Sequence, residues 1–184
     1  ASASPTALSL SSAVASIVII GLFLWRKWAP ISRHYLQQHP WGVLVWTILA
    51  ALGAILPLQW IYEQLNITVA DNVKQLFDNI LGSRWGYLAL GILAPVAEEL
   101  VFRGAILRCL LAYFNNRLPW IPIVVSALLF GAVHANLAQF VNASTMGLLL
   151  GWLYYRMHSV VPGVIFHWAN NTVAYAMYVL MPDL

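Results

Sequence analysis

Two adjacent carboxylates, Glu98 and Glu99, follow a dozen uncharged residues in a run ending Ala94-Pro-Val-Ala-Glu98-Glu99-Leu-Val-Phe-Arg103. A charge at the centre of a membrane helix costs roughly 2.5–3.5 kcal/mol, so such a group marks a functional site facing a polar cavity. Neighbouring helical residues point about 100° apart, which gives the two glutamates different surroundings. Glu99 and Arg103 are spaced i, i+4 and can pair on one face. The pair neutralises one carboxylate and leaves Glu98 for chemistry. His134 closes the stretch Phe130-Gly-Ala-Val-His134, in which Gly131 and Ala132 are small enough to admit a neighbouring helix. His167 and Asn171 are again i, i+4 and share a face, with Asn170 turned away from it. Taken singly, each histidine reads as a hydrogen-bonded contact between helices. Taken together, the residues supply a general base, a histidine to share its water, and two donors for a developing oxyanion. That set suits hydrolysis of an acyl bond by an activated water. Neither Gly-x-Ser-x-Gly nor His-Glu-x-x-His occurs.

The elements that must hold these residues are apolar. Of 184 residues, 61% are hydrophobic and 8% charged, against about 25% charged in soluble domains. Together with nine Trp, this makes the chain one integral membrane domain, 1–184, of the all-α class. The single Cys109 excludes an internal disulfide. Residues 1–12, rich in Ser and Ala, read as a tail. Residues 13–62 hold two N-terminal spans, within apolar segments 8–25 and 41–62. The basic pair Arg26-Lys27 follows the first segment, where a signal peptide would carry its charge ahead. Residues 63–84 read as an amphipathic surface segment, with Val69, Val73, Leu76, Phe77, Ile80 and Leu81 at helical spacing. The core bearing the motifs is 85–181, with spans at 85–114, 119–136, 143–157 and 160–181. The expected architecture is a polytopic membrane helix bundle of about six spans.

Basic residues orient this stack. Arg26, Lys27, Arg33, Arg108, Arg117 and Arg156 fall on one side of a six-span arrangement, and Lys74 and Arg84 on the other, with Glu63, Asp71, Asp78 and Asp183. The positive-inside bias puts both termini on the non-cytosolic side of a multi-pass protein. It does not distinguish a plasma membrane from an internal one such as thylakoid or endoplasmic reticulum. The chain shows no internal repeat and no nucleic-acid patch.

The ordered motifs Glu98-Glu99-x-x-x-Arg103, Phe130-x-x-x-His134 and His167-x-x-x-Asn171 resemble those of the CPBP family of intramembrane proteases, also called the Abi or CAAX-protease family. The resemblance covers about residues 85–181. It implies a glutamate protease in which Glu98 and His134 activate water and His167 and Asn171 stabilise the oxyanion. Glu99, Arg103 and Phe130 resemble supporting positions. It further implies a membrane-associated peptide or protein as substrate. No cofactor is expected. Zinc is the lesser alternative, with Glu98, His134 and His167 as its ligands. A second reading from another class is a non-proteolytic scaffold or assembly factor within a larger membrane complex.

Straight helices conflict with this constellation. At 1.5 Å per residue, Glu98 lies about 20 Å from the outer end of its span, His134 about 22 Å from the inner side and His167 about 10 Å from it. The expectation is therefore kinked or broken helices, with breaks near Pro95, Pro119 or Pro162, around a polar cavity open toward the cytosolic side.

Overall fold

The computed structural model describes residues 4–29, 35, 37, 39–115 and 117–180. Arg33 and Asp183, used above for orientation, lie outside the described residues, as do residues 1–3 of the tail and the end of the last span beyond 180. Among the described residues the fold is seven helices with no strand.

Helix α1 (Pro5–Trp25) starts inside the stretch read as a tail. Pro5 opens its first turn, and the Ser4 hydroxyl accepts from the Ala7 amide at 3.2 Å. Helix α2 (Trp41–Gln64) carries Pro57 in its interior. Helix α3 (Asp71–Leu81) is the amphipathic segment; it has no fully buried residue. Helix α4 (residues 87–113) is one long rod of changing pitch. Wide turns over Tyr87–Leu93 and Leu100–Leu107 flank an ordinary α-helical stretch, Ala94–Glu99, and Arg108–Tyr113 completes it. Helices α5 (Trp120–Ala132), α6 (Leu137–Met157) and α7 (Val161–Leu180) follow through short turns.

Small residues set the closest approach in the bundle. A Cβ on Gly147 would stand 2.9 Å from Ala127, and one on Gly131 would collide with the Ser144 hydroxyl. Helices α5 and α6 therefore touch along their length, as small residues allow in membranes. Ala132, read from the sequence as part of that contact, faces outward instead. Helix α2 packs on α7 through a core of Ala51, Leu58, Met146, Leu150, Phe166 and Ala169. Helix α1 packs on the first half of α4. At one end of the bundle, the Ser9 hydroxyl donates to Ile80 O at 3.2 Å and accepts from Ser83 at 2.6 Å.

Two helices, α1 and α2, are long and apolar enough to cross a membrane, and α5 is a shorter apolar helix of 13 residues. Val14, Ile17 and Val18 of α1, Trp46 and Leu56 of α2, and Leu128 and Leu129 of α5 all face outward. An apolar surface of that extent needs lipid or a partner to cover it.

The expected breaks do not occur at the prolines. Pro119 and Pro162 sit at the starts of α5 and α7, where no helical amide bond is lost. Pro95 is absorbed inside α4 by a change of register. Beside it, the Ala94 amide bonds five residues back, to Ala89 O. In that register Pro95 would be the donor to Leu90 O, and it has no N–H to give.

Candidate active site

The polar residues converge around a cavity of about 310 Å³. It is walled by Leu90, Gly91, Ala94 and Glu98 of α4, Phe130 of α5, the first half of α6 and the middle of α7. Phe77 and Leu81 of α3 close one side. The cavity therefore lies at the end of the bundle that holds α3, the start of α4 and the α5–α6 turn. In the six-span arrangement that end is the non-cytosolic one. A cavity open toward the cytosol, as expected from sequence, does not fit with that arrangement.

His134 is not in a helix. Helix α5 stops at Ala132, and His134 lies in the turn before α6, one residue ahead of Ala135 with φ 56°. The turn returns the imidazole to the bundle. Its Nδ1 is 2.8 Å from Phe130 O. A carbonyl can only accept, so Nδ1 carries a proton, and in the neutral ring Nε2 is then the acceptor. The ring stands edge-on to Phe130 at 5.1 Å.

Phe130 is the common wall of the site. His167 meets it edge-on at 5.8 Å, Phe102 packs at 5.0 Å, and the Arg103 guanidinium lies 4.5 Å from its centroid. Behind this ring Arg103 and Glu99 are fully buried. Arg103 Nη1 donates to Glu99 Oε1 at 2.7 Å, and Nη2 reaches Gly147 O at 3.4 Å. The second oxygen of Glu99 has no hydrogen-bond partner among the described residues. Glu99 is thus sealed in structure, while the Glu98 side chain is 32% exposed at the cavity.

His167 stands between the glutamates, with Nε2 3.7 Å from Glu98 Oε2 and Nδ1 3.4 Å from Glu99 Oε1. Neither separation is a hydrogen bond, but a proton on either imidazole nitrogen faces a carboxylate. One turn on, Asn171 donates from Nδ2 to Leu90 O at 2.9 Å. That is the carbonyl left without its amide donor by Pro95. The bond aims the carboxamide and leaves one N–H for the cavity.

The structure brings Glu98, Phe130, His134, His167 and Asn171 to one cavity and holds Glu99 and Arg103 behind it. No three His, Cys, Asp or Glu side chains among the described residues are placed to hold a metal ion together. Glu98, His134 and His167, considered from sequence as zinc ligands, do not form such a group as placed here. Sequence reasoning missed Gln139, Asn142 and Asn170, whose carboxamides also border the cavity. Asn170 was read as turned away because an even helical wheel ignores the breadth of the cavity. A polar residue recurring in an apolar helix was the available signal for all three.

Among the described residues, an apolar helical bundle thus gathers a carboxylate and two imidazoles around a cavity. A family model for type II CAAX prenyl endopeptidase Rce1-like proteins matches residues 80–173, just over half the chain, and the chain belongs to that family. Helices α1 and α2 lie outside the match. The chain is 24% identical over 140 residues to the UPF0177 protein YbdI of Lactococcus lactis subsp. lactis (strain IL1403), covering 76% of this chain and 74% of that one. It is 26% identical over 108 residues to a Bacillus subtilis (strain 168) protein named "Putative membrane peptidase YdiL". That alignment covers 59% of this chain and 43% of its relative. No solved structure matches.

Proposed function

We propose that this chain is an intramembrane endopeptidase that hydrolyses a peptide bond of a membrane-associated substrate with a water activated by Glu98 and His134. The observation that carries the reading is the shared cavity of Glu98, His134, His167 and Asn171. Family membership and the peptidase name of one relative support it. In the reaction, Glu98 takes a proton from water while the unprotonated Nε2 of His134 orients the oxygen. The new C–O bond forms at the scissile carbonyl, and His167 and Asn171 donate to its oxyanion. The C–N bond then breaks, and the proton held by Glu98 passes to the leaving amine. No metal enters the scheme, because Glu98 and His134 suffice to activate the water.

The proposal includes a six-span arrangement. In it, α1, α2, α4, α5, α6 and α7 cross the bilayer, α3 lies on its surface, and both termini are non-cytosolic. The test is turnover by purified protein in vesicles, using quenched-fluorescence apolar peptides. Glu98→Gln keeps the shape of the side chain and removes the base. It should cut kcat by at least about 100-fold, within the range for loss of a general base. Equal turnover by Glu98→Gln would falsify the assignment.

A further inference from the structure

The wide turn that opens α4 makes a second contact with α7, which the proposed reaction does not use. Tyr87, the first residue of that turn, sends its hydroxyl to α7. Trp168 Nε1 lies 3.1 Å from the Tyr87 oxygen, that oxygen lies 3.0 Å from Thr172 Oγ1, and Thr172 Oγ1 lies 2.7 Å from Trp168 O. One proton arrangement satisfies all three. Trp168 O can only accept, so the single hydroxyl proton of Thr172 goes there. Thr172 Oγ1 then accepts from Tyr87, and Tyr87 accepts from the indole N–H, which can only donate. The ring below the hydroxyl is held as well. Tyr175 packs on it at 4.9 Å. A Cβ on Gly91 would stand 2.5 Å from it, so the ring lies back against α4 where glycine leaves room. A fully satisfied network of this kind specifies one arrangement of the groups it joins.

Those groups flank the oxyanion donors. Trp168 follows His167 and Thr172 follows Asn171 in the chain. One residue is about 100° of turn on a helix, so the face of α7 held by Tyr87 lies beside the face that carries His167 and Asn171 to the cavity. A side-chain atom about 6 Å from a helix axis moves about 1 Å for every 10° of rotation. A misplacement of about 1 Å in a reacting geometry costs on the order of 100-fold in rate. The bond from Asn171 to Leu90 O holds α7 to the turn at one point. Tyr87 adds a second, about a quarter-turn round the axis, and two such points fix the rotation. We propose that Tyr87 is a positioning residue for the oxyanion donors: its hydroxyl, locked between Trp168 and Thr172, sets the rotation of α7 and so aims His167 and Asn171 at the scissile carbonyl. Tyr87 is not itself on the cavity wall and acts through them.

The inference rests on the endopeptidase reading, and the experiment separates the two. Full-length protein in detergent micelles is assayed with the quenched apolar peptides. In parallel, NMR of isotopically labelled histidine follows the ring nitrogens, the five His being assigned by replacing each with Gln. Tyr87→Phe should lower kcat at least about tenfold with KM kept within about twofold, because the donors act on the oxyanion rather than on the bound peptide. It should move the His167 ring signals and leave those of His134 in place. Thr172→Val removes the acceptor at the same shape and should do likewise. Thr172→Ser keeps the hydroxyl and should retain at least about half of the wild-type kcat, a distinction that loss of packing would not make. Tyr87→Phe combined with Thr172→Val should fall no more than about twofold below either alone, since both break one link. If Tyr87→Phe does not fold, the two Thr172 variants carry the test. Unmoved His167 signals, or equal loss of kcat in Thr172→Ser and Thr172→Val, overturns the inference. Moved His167 signals in a protein whose wild type cleaves no peptide uphold the positioning role and remove the endopeptidase reading alone.

Discussion

At the scale of single residues, the fully buried Glu99 carboxylate is the strictest constraint in the site. One oxygen is held by Arg103 at 2.7 Å. The other lies over Gly163 of α7, where a Cβ would stand 2.6 Å away. Glu99 cannot retreat, because Arg103 holds it and His167 lies 3.4 Å off. Gly163→Ala should therefore displace the carboxylate and His167 together. The expected cost is about 1–3 kcal/mol, as for overpacking elsewhere, seen as a lower melting temperature in detergent along with reduced turnover. A variant with unchanged melting and turnover would refute this account of the glycine. Arg103→Met alone should cost about 3–5 kcal/mol, since it strands a buried charge, whereas Glu99→Leu with Arg103→Met should recover most of that stability. A double variant as unstable as the single one would show that the pair contributes more than mutual neutralisation. The i, i+4 pair was legible in the sequence because both partners lie on one helix. The need for glycine at 163 was not, because it arises from a second helix crossing the first.

At the scale of elements, Pro95 and Asn171 act as one device across two helices. Pro95 leaves Leu90 O without a backbone donor, and Asn171 of α7 supplies one at 2.9 Å. This ties the stretch of α4 that carries Glu98 to the helix bearing His167. Asn171→Ala should cost about 1–3 kcal/mol through the orphaned carbonyl. Pro95→Ala would restore a backbone amide in reach of Leu90 O. Combined with Asn171→Ala it should return part of the stability while activity stays low. Strictly additive melting shifts in this double-mutant cycle would disprove the coupling. The sequence marked Pro95 as a point of disturbance but suggested a break. A proline can be met by a kink or by a wider turn, and the helices packed on it choose between them. The same limit applies to His134. Apolar residues continue past Ala132, so periodicity alone ran the span on to 136, whereas the helix stops early and the turn carries the histidine inward.

At the scale of the whole molecule, the cavity and the charges make a joint statement about sidedness. The cavity end carries Glu63, Asp71, Asp78, Lys74 and Arg84; the opposite end carries Arg26, Lys27, Arg108, Arg117 and Arg156. Contacts at each end are consistent with a single bundle direction. Tyr62 donates to Ala138 O at 2.6 Å and Tyr178 to Asp78 O at 3.3 Å at the cavity end, while Arg108 donates to Trp28 O at 2.8 Å at the other. Lys and Arg near span ends orient membrane proteins toward the cytosol, so the basic end should be cytosolic and the cavity should open on the opposite face. Cys109, the one native thiol, is exposed and is first replaced by Ser. In that background, an impermeant maleimide applied to intact cells should label Asn79→Cys at the cavity end. Arg117→Cys should react only after permeabilisation. The reverse pattern would invert the molecule and return the cavity to the cytosolic face. With the predicted pattern, a peptide segment presented on the non-cytosolic face should be cleaved in vesicles of known orientation. The same segment confined to the cytosolic face should survive, which ties the sidedness of the fold to the sidedness of its chemistry.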